Sequence, residues 1–290
     1  MHPTMDGWQD YRAIRDGRSV VGDLRVLRGV ESPQLGVTRD VLALVPAGAT
    51  SSGRRYPVLY MHDGQNLFDA STSFAGEWGV DETMAALRDE GIEAIVVGVP
   101  NGGVRRFPEY TPYPPEGDHR GPPVGEGEAY VRFLVETVKP LVDRAFPTRP
   151  DRGATGIMGS SLGGLISLWA AFEHANTFGF AGAMSPGIPP SQRPLFDLLR
   201  RPAARPDRIY VDVGGHEGHG APGRLAEIRS RAFQRDVRRI RDALVEGGSR
   251  VNEDLLYIEE PDAIHHESAW ARRLPGALRF LLGPLTVEPR

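Results

Sequence analysis

The segment Ala154-Thr-Gly-Ile-Met158 leads into Gly159-Ser160-Ser161-Leu162-Gly163, and an apolar run from Leu165 to Phe172 follows. A short apolar strand, a Gly-x-Ser-x-Gly pentapeptide and a helix, in that order, spell a strand-to-helix turn so tight that small residues must flank the serine. A serine hydroxyl is a weak nucleophile until a base can take its proton, so this reading makes demands on the rest of the chain. A histidine, an acid to orient it and two backbone N–H groups for a developing oxyanion must lie elsewhere.

Outward from the turn, apolar strands and amphipathic helices alternate. Leu24 to Val30 and Val37 to Val45 read as two strands, and Pro46 to Arg55 as a Gly- and Ser-rich surface turn. Tyr56 to Met61 is a short apolar strand that ends in His62-Asp63-Gly64-Gln65-Asn66. Val80, Met84 and Leu87 share a helical face that stops at Gly91, and Ile92 to Val99 is a buried strand. A helix over Glu128 to Phe146, the elbow strand and helix, and a strand over Phe178 to Met184 continue the pattern. Ile209 to Val213 and Leu255 to Ile258 supply two more strands. Between them runs a long helix predicted to face Leu225, Ile228, Ala232, Ile240 and Leu244 inward. The last helix, from about Ser268 to Leu282, carries Trp270, Leu274, Leu278 and Leu281 on one side. This rhythm predicts an α/β protein with a mostly parallel central sheet of about eight strands flanked by helices. Thr111 to Gly127 breaks it, with five Pro and four Gly in 17 residues, and reads as a lid or a mobile insertion. The expected organisation is an N-terminal extension over residues 1–23 and a single domain over 24–290.

The chain has 290 residues, 40% hydrophobic and 25% charged, enough for one large core. The formal charge of −4 offers no global field for nucleic acid or an anionic membrane surface. With no cysteine, disulfides, thiolate metal sites and cysteine nucleophiles are excluded together. Residues 1 to 23 hold no apolar secretory core, and no apolar run approaches membrane-spanning length, so a cytoplasmic location is expected.

Five histidines follow Ser161. His174 lies too near the elbow helix to return to its tip, and His216 and His219 flank an acid. That leaves His265 or His266, between the last strand and the last helix, where a base that follows its acid belongs. The acid is sought in Asp212-Val213-Gly214-Gly215-His216-Glu217. Asp212 falls within the strand, whereas Glu217 lies beyond the glycines and is free to turn towards an imidazole, so Glu217 is favoured. One oxyanion donor is the N–H of Leu162, the residue after the serine, and the other is assigned to Gln65 in the Asp63-Gly64-Gln65 turn.

Four ordered stretches, Tyr56-Pro-Val-Leu-Tyr-Met-His-Asp-Gly-Gln-Asn-Leu-Phe-Asp69, Gly159-Ser-Ser-Leu-Gly-Gly164, Asp212-Val-Gly-Gly-His-Glu217 and His265-His-Glu-Ser-Ala-Trp270, together resemble the "putative esterase" family of α/β hydrolases. That family includes enterochelin esterases, esterase D, feruloyl and acetyl-xylan esterases and the mycolyltransferases. The resemblance runs from about Leu24 to Leu282 and implies an α/β-hydrolase fold and a serine esterase without a cofactor. It matches Ser161 to the nucleophile, Glu217 to the acid, His265 to the base, and Gln65 and Leu162 to the oxyanion positions. Motif register, rather than chemistry, separates His265 from His266.

The resemblance also marks Arg105 and Arg106 as substrate-side residues that could meet anionic catecholates of a siderophore triester. Acylated sugars and small acyl esters are the other substrate expectation, and Trp78 is a weaker candidate contact. An acyltransferase with an alcohol acceptor, or a non-catalytic module on the same fold, are the competing readings. His216, Glu217, His219, His265, His266 and Glu267 could serve as metal ligands by type, but their spacing fits no helical zinc motif, and no metal is expected. Arg272 and Arg273 read as a solvated helix face.

Overall fold

The computed structural model describes residues 7–114, 125–202, 205–285 and 288–289, so most of the Pro- and Gly-rich loop lies outside the described residues. The chain begins with β1 (Trp8–Asp10), β2 (Asp23–Ser32) and β3 (Val37–Val45), then β4 (Arg54–Arg55) and β5 (Val58–His62). Helix α1 (Val80–Arg88) leads to β6 (Ile95–Val99) and a short helix α2 (Arg106–Glu109). Next, α3 (Gly127–Arg132) passes through a π-helical stretch, Phe133–Val138, into α4 (Lys139–Ala145). Pro140 cannot donate to the Glu136 carbonyl and its ring would crowd it, and the widened turn relieves that conflict. The second half alternates β7 (Thr155–Ser160), α5 (Leu162–Glu173), β8 (Phe180–Met184), α6 (Leu195–Leu199), β9 (Arg208–His216), α7 (Arg224–Glu246), β10 (Leu255–Ile264) and α8 (Glu267–Leu282). A two-residue β11 (Glu288–Pro289) pairs with β4.

The main sheet has nine strands in the order β1-β2-β3-β6-β5-β7-β8-β9-β10. The pairs from β1 to β6 across β2 and β3 are antiparallel, and those from β6 through to β10 are parallel. Every residue of β5, β6, β7 and β8 is buried, which is why these strands are largely apolar rather than alternating: both faces are covered. One face packs Val97, Ile157, Leu165 and Leu168 with Val138 of the π stretch and Val237 and Leu244 of α7. The opposite face packs Leu59, Met61, Met158 and Met184 against Met84 of α1 and Leu274 and Leu278 of α8.

Three details depart from the sequence reading. The ninth strand is β1, from the segment read as an extension: Trp8 packs edge-on against Phe146 at 4.9 Å, and Tyr11 is buried. In α7 the buried face is Ser230, Val237, Ile240, Ala243 and Leu244, whereas Leu225 and Ile228 are exposed, because the first turns of this 23-residue helix extend past the sheet that buries the rest. Arg273 is buried rather than solvated. At i+3 from Trp270 and i−4 from Ala277, it shares the helix face that packs on the sheet. No helix among the described residues is long and apolar enough to cross a membrane.

Candidate active site

The elbow joins β7 to α5 at the centre of the sheet, where the C-terminal ends of parallel strands open a crevice. Ser161 takes φ 55° and ψ −122°, a region that side chains rarely enter, and holds it because its backbone is tied on both sides. Its N–H donates to the Met184 carbonyl at 3.0 Å, and its own carbonyl accepts from Gly164 at 3.1 Å and Gly187 at 3.0 Å. A Cβ on Gly159 would lie 2.8 Å from both the Gly163 carbonyl carbon and His62 Cδ2, so the turn closes only with glycine there.

His265 follows the end of β10, and its Nε2 lies 3.0 Å from Ser161 Oγ. Its Nδ1 lies 2.6 Å from Glu217 Oε2. Phe233 and Trp270 meet the imidazole edge-on, with ring centres 5.1 and 5.0 Å away, and fix its plane. Glu217 is buried; its Oε1 accepts the Ser185 hydroxyl at 2.7 Å and the Gly214 N–H. His266 instead turns Nδ1 to the Ser268 N–H at 3.2 Å and caps α8. Asp212, the competing acid, is buried within β9 and engaged by Arg273 Nε at 2.7 Å, the Tyr210 hydroxyl at 2.8 Å and the Ser185 N–H at 2.9 Å. Arg273 also donates to Ser185 Oγ at 3.1 Å and to Glu260 at 3.0 Å. A polar chain, buried from Asp212 to Glu217, therefore runs Asp212, Arg273, Ser185, Glu217, His265, Ser161. Sequence reading missed Ser185 and Arg273; the one local signal, a serine directly after a strand at positive φ, becomes visible only in the structure.

Opposite lies the turn after β5. Asp63 is left-handed at φ 55°, and a Cβ on Gly64 would meet the Gly98 carbonyl carbon at 2.6 Å. Gln65 is pinned at both ends: its Oε1 accepts the Asn101 N–H at 3.1 Å, and its carbonyl accepts the Thr72 hydroxyl at 2.7 Å. The N–H groups of Gln65 and Leu162 donate to no other backbone group outside regular helix and strand ladders among the described residues. Beneath them, burial drives the His62 pKa down to about 3 and keeps its ring neutral, with Nδ1 2.8 Å from the Tyr130 hydroxyl.

A cleft of about 970 Å³ opens over Ser161 and His265, bounded by Gln65, Phe74, Trp78, Arg106, His266 and Glu267. Trp78 is buried with its ring 5.7 Å from that of Trp270. Arg106 donates Nε and Nη2 to the two Asp63 oxygens at 2.7 and 2.8 Å. Arg105 donates to Glu109 at 3.2 Å and to Glu126 at 2.8 Å. Among the described residues, the carboxylate and imidazole group compact enough for a metal is Glu77, Asp81 and Glu82, which includes none of the histidines.

Sheet order and elbow together define an α/β hydrolase. More particularly, the chain belongs to the family described as "Putative esterase", whose model matches residues 32–281, and it is an ester hydrolase. It is 25% identical over 253 residues to the Bacillus subtilis protein YbbA, covering 86% of this chain and 94% of that one. It is 31% identical over 169 residues to the siderophore enterobactin esterase of Emericella nidulans, which is 52% of each chain. Among solved structures, the siderophore hydrolase EstA from Aspergillus nidulans superposes with a TM-score of 0.71 at 21% identity, over 92% of this chain and 96% of that one. The ferric enterobactin esterase of Salmonella typhimurium gives 0.67 at 18% identity, over 98% of this chain and 62% of that one.

Proposed function

We propose that ester hydrolysis here proceeds through an acyl-enzyme on Ser161, with His265 as base and Glu217 as its orienting acid. The observation that carries this reading is the unbroken hydrogen-bonded line from Ser161 Oγ through His265 to Glu217. Ser161 Oγ attacks the ester carbonyl carbon as His265 Nε2 takes its proton. The Nδ1–H donates to Glu217 and stabilises the imidazolium that forms. The carbonyl oxygen becomes an oxyanion and is met by the Leu162 and Gln65 N–H groups, a donor pair of which each member is worth about 10²- to 10³-fold in rate. Collapse expels the alcohol, which takes the proton from Nε2. Water then attacks the acyl group by the same route reversed, releasing the acid and restoring the serine.

The substrate is a small carboxylic ester lodged in the cleft between Ser161 and the segment from Thr72 to Trp78. Relatives named for siderophores, for enterobactin and for ferulic acid support an ester as the substrate. The test is hydrolysis of p-nitrophenyl acetate and butyrate by Ser161→Ala. A loss of about 10³-fold or more is expected, since without its nucleophile such a site keeps only binding and oxyanion stabilisation. Turnover by the variant at the parent rate ends the proposal.

A further inference from the structure

We propose that the cleft selects esters by charge, admitting uncharged and cationic substrates over anionic ones, and that Glu267 is the residue that sets this preference. The inference rests on Ser161 as the reacting centre, because the cleft is defined around it. Among the described residues, the full charges lining the cleft are Asp63, Arg106 and Glu267.

Two of these cancel. The Arg106 guanidinium engages both Asp63 oxygens, the Asn101 side chain adds a third donor to Asp63 at 2.6 Å, and the guanidinium lies 5.0 Å from the centre of the Tyr110 ring. A bidentate pair held this way presents no free cation to an incoming anion. Arg105 is likewise engaged by Glu109 and Glu126.

Glu267 has no such partner. Its carboxylate accepts from the Asn66 side-chain nitrogen at 3.5 Å, and no cation of the described residues pairs with it. It opens α8 two residues after His265, so it stands beside the reacting centre. Across the opening it faces Gly76, where an added Cβ would lie 3.6 Å from Glu267 Cβ. The helix start contributes about half a positive charge there, less than the full negative charge of the side chain. The remaining lining sets the apolar side chains of Phe74, Ala75, Pro100 and Trp270 beside polar Asn66, Thr72, Asn101 and His266, with Phe74 93% exposed at its edge. An ester with a neutral or cationic distal end therefore meets apolar surface and an uncompensated carboxylate. A polyanionic iron chelate would meet that carboxylate with no free cation to offset it.

The test uses three p-nitrophenyl esters of matched length that end in a trimethylammonium, a methyl or a carboxylate group. The parent protein is expected to show kcat/KM about tenfold higher for the cationic than for the anionic ester, narrowing as NaCl is raised from low to high concentration. Glu267→Gln should bring that ratio to within about twofold, and Glu267→Lys should invert it. Because the readout is a ratio within each variant, any common loss of turnover cancels. Dissociation constants for the same esters on Ser161→Ala read the preference without hydrolysis. Binding in charge order by a variant that still turns over at the parent rate would overturn the serine mechanism and leave the selection standing. An anionic ester handled as well as the cationic one, or a ratio unmoved by Glu267→Gln, would overturn the selection.

Discussion

Glu217 has both carboxylate oxygens occupied, Oε2 by His265 and Oε1 by Ser185 and the Gly214 N–H. Ser185 is thus the link through which the Arg273–Asp212 pair steadies the acid. Removing its hydroxyl leaves Glu217 with one donor fewer and frees it to turn away from His265. Ser185→Ala should lower kcat about tenfold with KM nearly unchanged, whereas a purely structural role would lower Tm and leave kcat in place. His265 and His266 separate more sharply. His265→Ala should cost about 10³-fold in kcat, in line with loss of a triad base. His266→Ala should stay within about tenfold of the parent, and its lost cap should cost about 1 kcal/mol of stability. The linear order of the candidate serine, acid and histidine was legible because each sits in its own motif. The supporting chain was not: Ser185, Asp212 and Arg273 lie 27 to 88 positions apart, and each alone reads as an ordinary strand end, strand residue or surface arginine.

Helix α1 shows the same contrast at the scale of an element. Its apolar spacing and its glycine stop were plain in the sequence, yet its first turn buries a carboxyl group. Asp81 is 1% exposed, with Oδ2 accepting the Val21 N–H at 2.6 Å and Oδ1 unpartnered. Burial first, then the neighbouring Glu82, raises its pKa to about 8. In an unfolded chain an Asp titrates near about 4. Between about pH 4 and 8 the folded protein therefore keeps a proton that the unfolded chain has released, and this group's contribution to stability falls as pH rises through that window. An acid in the first turn ordinarily gains about 0.3–1 kcal/mol from the helix dipole, and here the burial cost is larger. Asp81→Asn keeps an acceptor for Val21 and removes the titration. It should be about 1–3 kcal/mol more stable than the parent at pH 8, with the gap closing near pH 4. Melting curves across that range decide it, and a Tm difference that does not change with pH would refute the assignment. Strand edges were the other weak point at this scale. β9 and β10 continue past Val213 and Ile258, where composition signals a loop but parallel pairing of Glu259 with Val213 and of Glu260 with Gly214 carries the ladder on, and after a register shift it resumes at Ile264 and His216.

Across the whole molecule, the antiparallel edge of the sheet and the cleft are mechanically connected. The three residues of β1 hold one apolar side chain in this register and so show no period to read, which is why the sequence placed them outside the domain. From there the chain crosses to the cleft wall: the Tyr11 hydroxyl donates to Asp69 at 2.8 Å, Ser19 Oγ accepts the Ala70 N–H at 2.9 Å, and Val21 reaches α1. These bonds anchor the segment from Asp69 to Trp78, which carries Phe74 and the Thr72 hydroxyl that fixes the Gln65 carbonyl. Deleting residues 1–22 removes the buried side chains of Trp8, Tyr11 and Val20 together with the edge strand β1. Tm is expected to fall by about 5–10 °C. β2 to β10 retain both core faces, so the truncated protein should still fold and still label at Ser161 with a fluorophosphonate. Its kcat/KM should fall more for bulky esters than for acetate, because the loosened wall bounds the far end of the substrate rather than the carbonyl. An unchanged Tm together with an unchanged ratio of bulky to small ester turnover would show that this edge neither stabilises the sheet nor shapes the cleft.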